Sequence, residues 1–242
     1  MNYLLEVIAF SIESCTTIEK AGAHRIELCD NPGEGGTTPS YGFIKGARET
    51  VSIDLFPIIR PRGGDFLYNE EEFQIMQRDI QLCKELHCNG VVIGLLKKDG
   101  TVDVERTAKL VELAYPLEVT FHRAFDRVKN AQQALEDVIE TGCTRILTSG
   151  LHPTVTEGKE VLQQLVHQSH GRITIMPGSG LRAANILDIA QSTGATEFHT
   201  SARVAIDSKM DYKNPNMNED LQYMVADKKE IEACLQALKK TS

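Results

Sequence analysis

The chain has 242 residues, of which 41% are hydrophobic and 25% charged, ordinary for a soluble globular protein that can bury a full core. Its net charge of −8 argues against nonspecific nucleic-acid binding through a basic surface. No apolar run reaches the roughly 18 residues of a membrane span, and "MNYLLEVIAF" lacks the basic start and cleavage site of a signal peptide, so a cytoplasmic protein with no membrane or nucleic-acid partner is expected.

Taken in chain order, short β-rich runs appear at 4–10, 24–29, 54–60, 89–96, 117–122, 144–149, 172–177 and 196–201. The segments between them carry helical spacing. Phe73, Met76, Ile80, Cys83 and Leu86 recur every three or four residues, as do Ala131, Ala134, Leu135 and Val138. Three helix exits look alike, at "AGAHRI", "TGCTRI" and "TGATEF", where Gly22, Gly142 and Gly194 suit the left-handed position after a helix. A last helix is predicted over 228–239. Eight strand–helix cycles in 242 residues predict an α/β fold of the TIM (β/α)8 barrel type, whose usual size is about 250 residues. A single domain over 1–242 is expected. An open doubly wound sheet is the alternative, although no GxGxxG follows the first strand. After strand eight, residues 202–227 are polar, contain "NPN" and lack sustained periodicity. This long irregular segment is read either as a lid or as a tail against the barrel or a second subunit.

In a barrel, function sits at the C-terminal ends of the strands. Alternation along each strand puts one parity inside, and charged residues fall on it repeatedly: Glu6, Glu27 with Cys29, Arg60 with Arg62, His122, and His199 with Ser201. Buried charges need partners, so Glu6 and Glu27 are expected to face Arg60 from the next strand. Arg60, Arg62, Arg123 and Arg203, with Ser149 of "TSG", could gather guanidiniums and hydroxyls near one mouth for an anion. Gly178 and Gly180 of "PGSGL" follow strand seven, where barrels commonly hold phosphate. His122 and Asp126 could form an acid–base pair, with Glu27 as a further proton-transfer group; a histidine satisfied by a strand-end hydrogen bond is the plainer alternative. These groups predict, as one reading, an enzyme of unknown specificity acting on a small anionic or phosphorylated metabolite, and the long tail is a candidate contact of a homo-oligomer, dimer or tetramer.

Six cysteines (15, 29, 83, 88, 143 and 234) form no CxxC and no regular framework, so reduced thiols are expected. The segments "LLEVIAFSIESC", "RIELCDNPGEGGTTPSYG", "PIIRPRGGDFLY", "VTFHRAFD", "RILTSG" and "EFHTSAR" resemble the CutC family of copper homeostasis proteins. The resemblance runs from about residue 4 into the tail. It implies a cytoplasmic TIM barrel, often oligomeric, linked to copper tolerance and to Cu(I) binding. Cu(I) favours thiolate, thioether or imidazole donors. Cys29 is the best-placed thiol by parity, while Cys83 falls on a helix's apolar stripe. Other members often carry cysteine in the first strand and after "GGDF", where this chain has Ile8 and Leu67. Met210, Met217 and Met224 in the tail are either soft ligands or apolar anchors.

Overall fold

The computed structural model describes residues 3–239; the outermost residues of the expected 1–242 domain lie outside it. Eight parallel strands alternate with eight helices: β1 (Leu4–Ala9), α1 (Ile12–Lys20), β2 (Arg25–Leu28), α2 (Tyr41–Thr50), β3 (Asp54–Pro57), α3 (Glu70–Glu85), β4 (Gly90–Ile93), α4 (Val104–Ala114), β5 (Glu118–Phe121), α5 (Ala131–Glu140), β6 (Arg145–Thr148), α6 (Lys159–Ser169), β7 (Thr174–Pro177), α7 (Ile186–Thr193) and β8 (Glu197–Thr200). The eighth helix, α8 (Lys228–Lys239), follows a hairpin of β9 (Arg203–Ile206) and β10 (Tyr223–Ala226).

The strands form two four-stranded sheets, β3-β2-β1-β8 and β4-β5-β6-β7. A single parallel bridge, Ile58 to Val92, joins them on one side. Pairing β1 with both β2 and β8 is the barrel's order, since an open sheet of this connectivity would leave its first and last strands apart.

The local signals explain the elements. Asn69 opens α3 with a capping box: its Oδ1 accepts from the Glu72 N–H at 2.8 Å and Glu72 Oε2 accepts from the Asn69 N–H at 2.9 Å. Phe73, Met76, Ile80 and Cys83 then face the core. Gly22, Gly142 and Gly194 take φ of +88°, +83° and +76°, the left-handed exit expected of them.

Two apolar regions result. The large one lies between strands and helices and takes Ile26 and Leu28 of β2. The small one, Cys29, Phe56, Ile58 and Val92 flanked by Ile8 and Phe10, belongs to the opposite strand parity, inside the barrel. All six cysteines are buried and unbridged. No described helix is long and apolar enough to cross a membrane.

The segment 202–227 departs from its irregular reading, because β9 and β10 pair antiparallel within it, Tyr223 opposite Ile206 and Ala226 opposite Arg203. Ser14 of α1 accepts the Ala226 N–H at 3.1 Å, tying the returning strand to the first helix. The short strands were hidden because mostly exposed side chains on both faces give them no alternating pattern.

Candidate functional site

The floor of the site is an ionic layer across the barrel. Glu6 of β1 stands beside Arg25 of β2 and His199 of β8 in register. Arg25 Nε donates to Glu6 Oε2 at 2.5 Å, and its Nη2 donates to Glu197 Oε2 at 2.6 Å. Arg145 of β6 reaches the same Glu197 oxygen at 3.0 Å and Glu118 at 2.9 Å. Both guanidiniums lie over the Phe56 ring, that of Arg25 at 5.0 Å from its centroid and that of Arg145 at 5.4 Å. Two arginines thus balance Glu6 and Glu197 in the interior.

This layer corrects the expectation that Glu6 and Glu27 face Arg60. Arg60 instead donates to the Glu34, Gly36 and Gly64 carbonyls at 2.6, 2.7 and 2.9 Å, clamping two loops together. The partner of Glu6 is Arg25, from the same stretch as Glu27. Arg25 and Arg145 have the inward parity and stand at strand starts, so alternation alone would have found them.

Above the layer, His199 Nδ1 lies 2.7 Å from Glu6 Oε1, and its Nε2 points toward Glu27 Oε2 at 3.7 Å. Burial works against ionising Glu6, but the Arg25 and His199 charges outweigh it and hold its pKa down to about 2. Glu27 has no such donor. Burial pushes it up to about 7 despite the attraction of His199, and the Glu6 charge adds to the rise. Burial disfavours a charged His199, yet its hydrogen bond to Glu6 and the Glu27 charge raise its pKa above the ordinary value.

A cavity of about 490 Å³ opens over these groups. Of the predicted residues, Glu27, Arg60, His122, Arg123, Gly180, His199, Ser201 and Arg203 line it. Arg62 does not; it is held outside by Glu72 at 2.6 Å and Asp65 at 2.9 Å. Gly178 sits below the wall, where a Cβ would meet Leu147 at 2.4 Å. Arg127 and Ser179 line the cavity as well and were not anticipated. Arg127 ends the short 3-10 helix after β5, just past "FHRAFD", where no strand parity reaches.

The His122–Asp126 pair is not formed. Asp126 accepts from Arg123 Nε at 2.7 Å, Thr148 Oγ1 at 2.5 Å, the Ser149 N–H and Oγ at 3.0 Å each, and the Leu151 N–H at 3.2 Å. It is a knot joining the β5 and β6 ends, and Ser149 belongs to that knot rather than to the cavity wall. His122 instead accepts the Ala124 N–H on Nδ1 at 3.1 Å, the strand-end hydrogen bond of the plainer reading. Burial and the Arg60 charge push its pKa down to about 3, so the ring is neutral at pH 7.

Arg123 is thereby fixed by Asp126 and Ser149 with its outer edge at the cavity. Arg127 and Arg203 line the same cavity, and among the described residues no carboxylate lies within ion-pair distance of either. Arg203 is held over the Phe10 ring at 6.0 Å.

Copper(I) fits this donor set poorly. The Cys29 sulfur is fully buried among Phe56, Ile58 and Val92, none of which offers a ligand. Burial, with the Glu27 and Glu6 charges, pushes its thiol well above the ordinary value. Met210, Met217 and Met224 are exposed on the hairpin and its loop, outside the cavity lining.

Fold and cavity define a (β/α)8-type barrel with a charged cavity at the C-terminal ends of its strands. The chain belongs to the CutC family, whose profile matches residues 3–204. A CutC family protein of Chromobacterium violaceum is 52% identical over 88% of this chain and 86% of its own length. The human protein named copper homeostasis protein cutC homolog is 45% identical over 89% of this chain and 79% of its own. A crystal structure of CutC from Streptococcus agalactiae superposes with a TM-score of 0.79 at 36% identity, over 82% of this chain and 98% of that one. Thiamine phosphate pyrophosphorylase from Pyrococcus furiosus, 14% identical with a TM-score of 0.62 over 98% of this chain and 96% of that one, shares the fold alone.

Proposed function

We propose that this CutC-family chain serves copper homeostasis, the role for which its human relative is named, and that its working site is the mouth pocket, with a small anionic metabolite as ligand. The observation that carries the site is the pair of unpaired guanidiniums, Arg127 and Arg203, beside the prepositioned Arg123. Uncompensated arginines facing one cavity attract carboxylate or phosphate, to which they can donate in pairs. Ser201 adds a hydroxyl and Gly180 a backbone donor on the wall that follows β7 and β8, while the Ser179 hydroxyl is held by the Pro153 carbonyl at 2.8 Å. Inorganic phosphate is expected to raise the melting temperature of the protein. Arg203→Ala should remove most of that shift while leaving the phosphate-free melting temperature within about 1–2 °C, because the side chain is exposed and unpaired. A phosphate-independent melting temperature in the wild type would overturn this reading.

Copper itself as the ligand is the second reading, supported by the relative's name and by Cys29 sharing the inward face with Glu27. A lone buried thiol gives Cu(I) one donor where two or three are needed. Reduced wild type and Cys29→Ser are therefore expected to bind Cu(I) equally and weakly in a competition titration. A loss of tenfold or more in Cys29→Ser would shift the assignment to a thiolate copper site.

A further inference from the structure

We propose that Glu27 and His199, with Glu6 behind the imidazole, form a site for a divalent transition-metal ion such as Zn²⁺ at the floor of the mouth pocket. Glu6 Oε2 is occupied by Arg25, and its Oε1 faces His199 Nδ1 at 2.7 Å. An ionised carboxylate can only accept, so one proton belongs on Nδ1, and a metal ion would displace the second proton from Nε2 and take its lone pair. This is the arrangement in which an outer carboxylate fixes a ligating histidine.

Nε2 points at Glu27 Oε2 across 3.7 Å, too far for a hydrogen bond. Two ligand atoms on one tetrahedral Zn²⁺, each about 2.0–2.2 Å from it, stand roughly 3.3–3.6 Å apart. The gap therefore suits an ion with little movement. Ligand-capable atoms of Glu6, Glu27 and His199 all lie within 4.8 Å of one another.

Glu27 supplies an independent observation. It is 3% exposed and lines the cavity, yet no described residue donates a hydrogen bond to it. A buried carboxyl without a donor is costly. Arg25 and Arg145 are matched by Glu6 and Glu197, and among the described residues the one group within ion-pair distance of Glu27 is the His199 ring at 3.7 Å. A bound cation would satisfy Glu27.

The donors choose the kind of metal. Carboxylate and imidazole suit borderline divalent ions, whereas Cu(I) seeks soft sulfur, and the Cys29 thiol is outside the constellation. Two protein ligands leave coordination positions open toward the pocket. Those positions could take water or one end of an anion whose other end meets Arg127 and Arg203.

The test uses the full chain, stripped of metal, in phosphate-free buffer with Zn²⁺ alone, so that its outcome is independent of anion binding. Calorimetric titration is expected to show one Zn²⁺ per chain. Glu27→Gln should weaken binding at least tenfold, and Glu6→Gln should weaken it about 10–100-fold through the imidazole. Cys29→Ser should bind as the wild type does. Should either Glu6→Gln or His199→Gln fail to unfold cooperatively, Glu27→Gln decides alone, since removing an unsatisfied buried charge should not cost the fold. No uptake by the wild type, equal affinity in Glu27→Gln, or loss of binding in Cys29→Ser would each overturn the assignment. Equal affinity would place the metal on surface groups such as His167 and His170, whose rings are 5.6 Å apart.

Discussion

Arg25→Met is expected to lower stability by about 3–5 kcal/mol, the usual cost of breaking a buried ion pair from one side, and the melting temperature by about 10 °C or more. Arg25 is 3% exposed, and its guanidinium bonds Glu6, Glu197 and the Met176 sulfur while stacking on Phe56. Removing it leaves Glu6 with only His199 and Glu197 with only Arg145. The second change Glu6→Gln should then recover part of the loss, because neighbours in one network do not add. Chemical denaturation of the single and double variants checks this. A loss below about 1 kcal/mol in Arg25→Met would show that the layer is not a structural floor.

Glu27→Gln should move stability the other way, and only at high pH. The Glu27 carboxyl is raised from its ordinary value to about 7 by burial, so the folded state binds its proton more tightly than the unfolded state does. Its favourable contribution is complete below about pH 4.5 and is lost as pH rises through about 7. Each unit between the two values corresponds to about 1.4 kcal/mol, which gives roughly 2–3 kcal/mol after allowing for its coupling to His199. In metal-free protein, Glu27→Gln is thus expected to exceed the wild type by that amount at pH 8 and to match it near pH 4. Denaturant titrations at the two pH values provide the comparison. An equal difference at both would mean that Glu27 does not titrate in this range. A group whose removal stabilises the fold is retained for something other than stability, which is why it belongs to the site.

Much of the architecture was legible because helix periodicity and the three glycine exits are local signals, and the CutC motifs fall at strand ends. The interior charge was half legible. Strand parity put Glu6, Glu27, Cys29 and His199 inside, but contact across a barrel depends on stagger, which parity does not give. Arg60 was therefore matched to Glu27 by sequence order, while the geometry turns it to three loop carbonyls. Asp126 and His122 stand four positions apart, close enough in sequence to suggest a pair, yet the turn between them aims Asp126 at the β6 end. Arg127 is not legible because it ends a short 3-10 helix after β5, where no strand period marks which way a side chain points. The hairpin of β9 and β10 carries too little burial to write a pattern.

The central claim is that the mouth pocket takes its anion through unpaired arginines. Calorimetric titration with inorganic phosphate of the wild type against Arg127→Ala/Arg203→Ala tests it most directly. Each lost charge-assisted bond is worth about 1.5–3 kcal/mol, so the double variant should bind at least a hundredfold more weakly, with unchanged folding. Phosphate affinity that is the same in the two proteins would contradict the account.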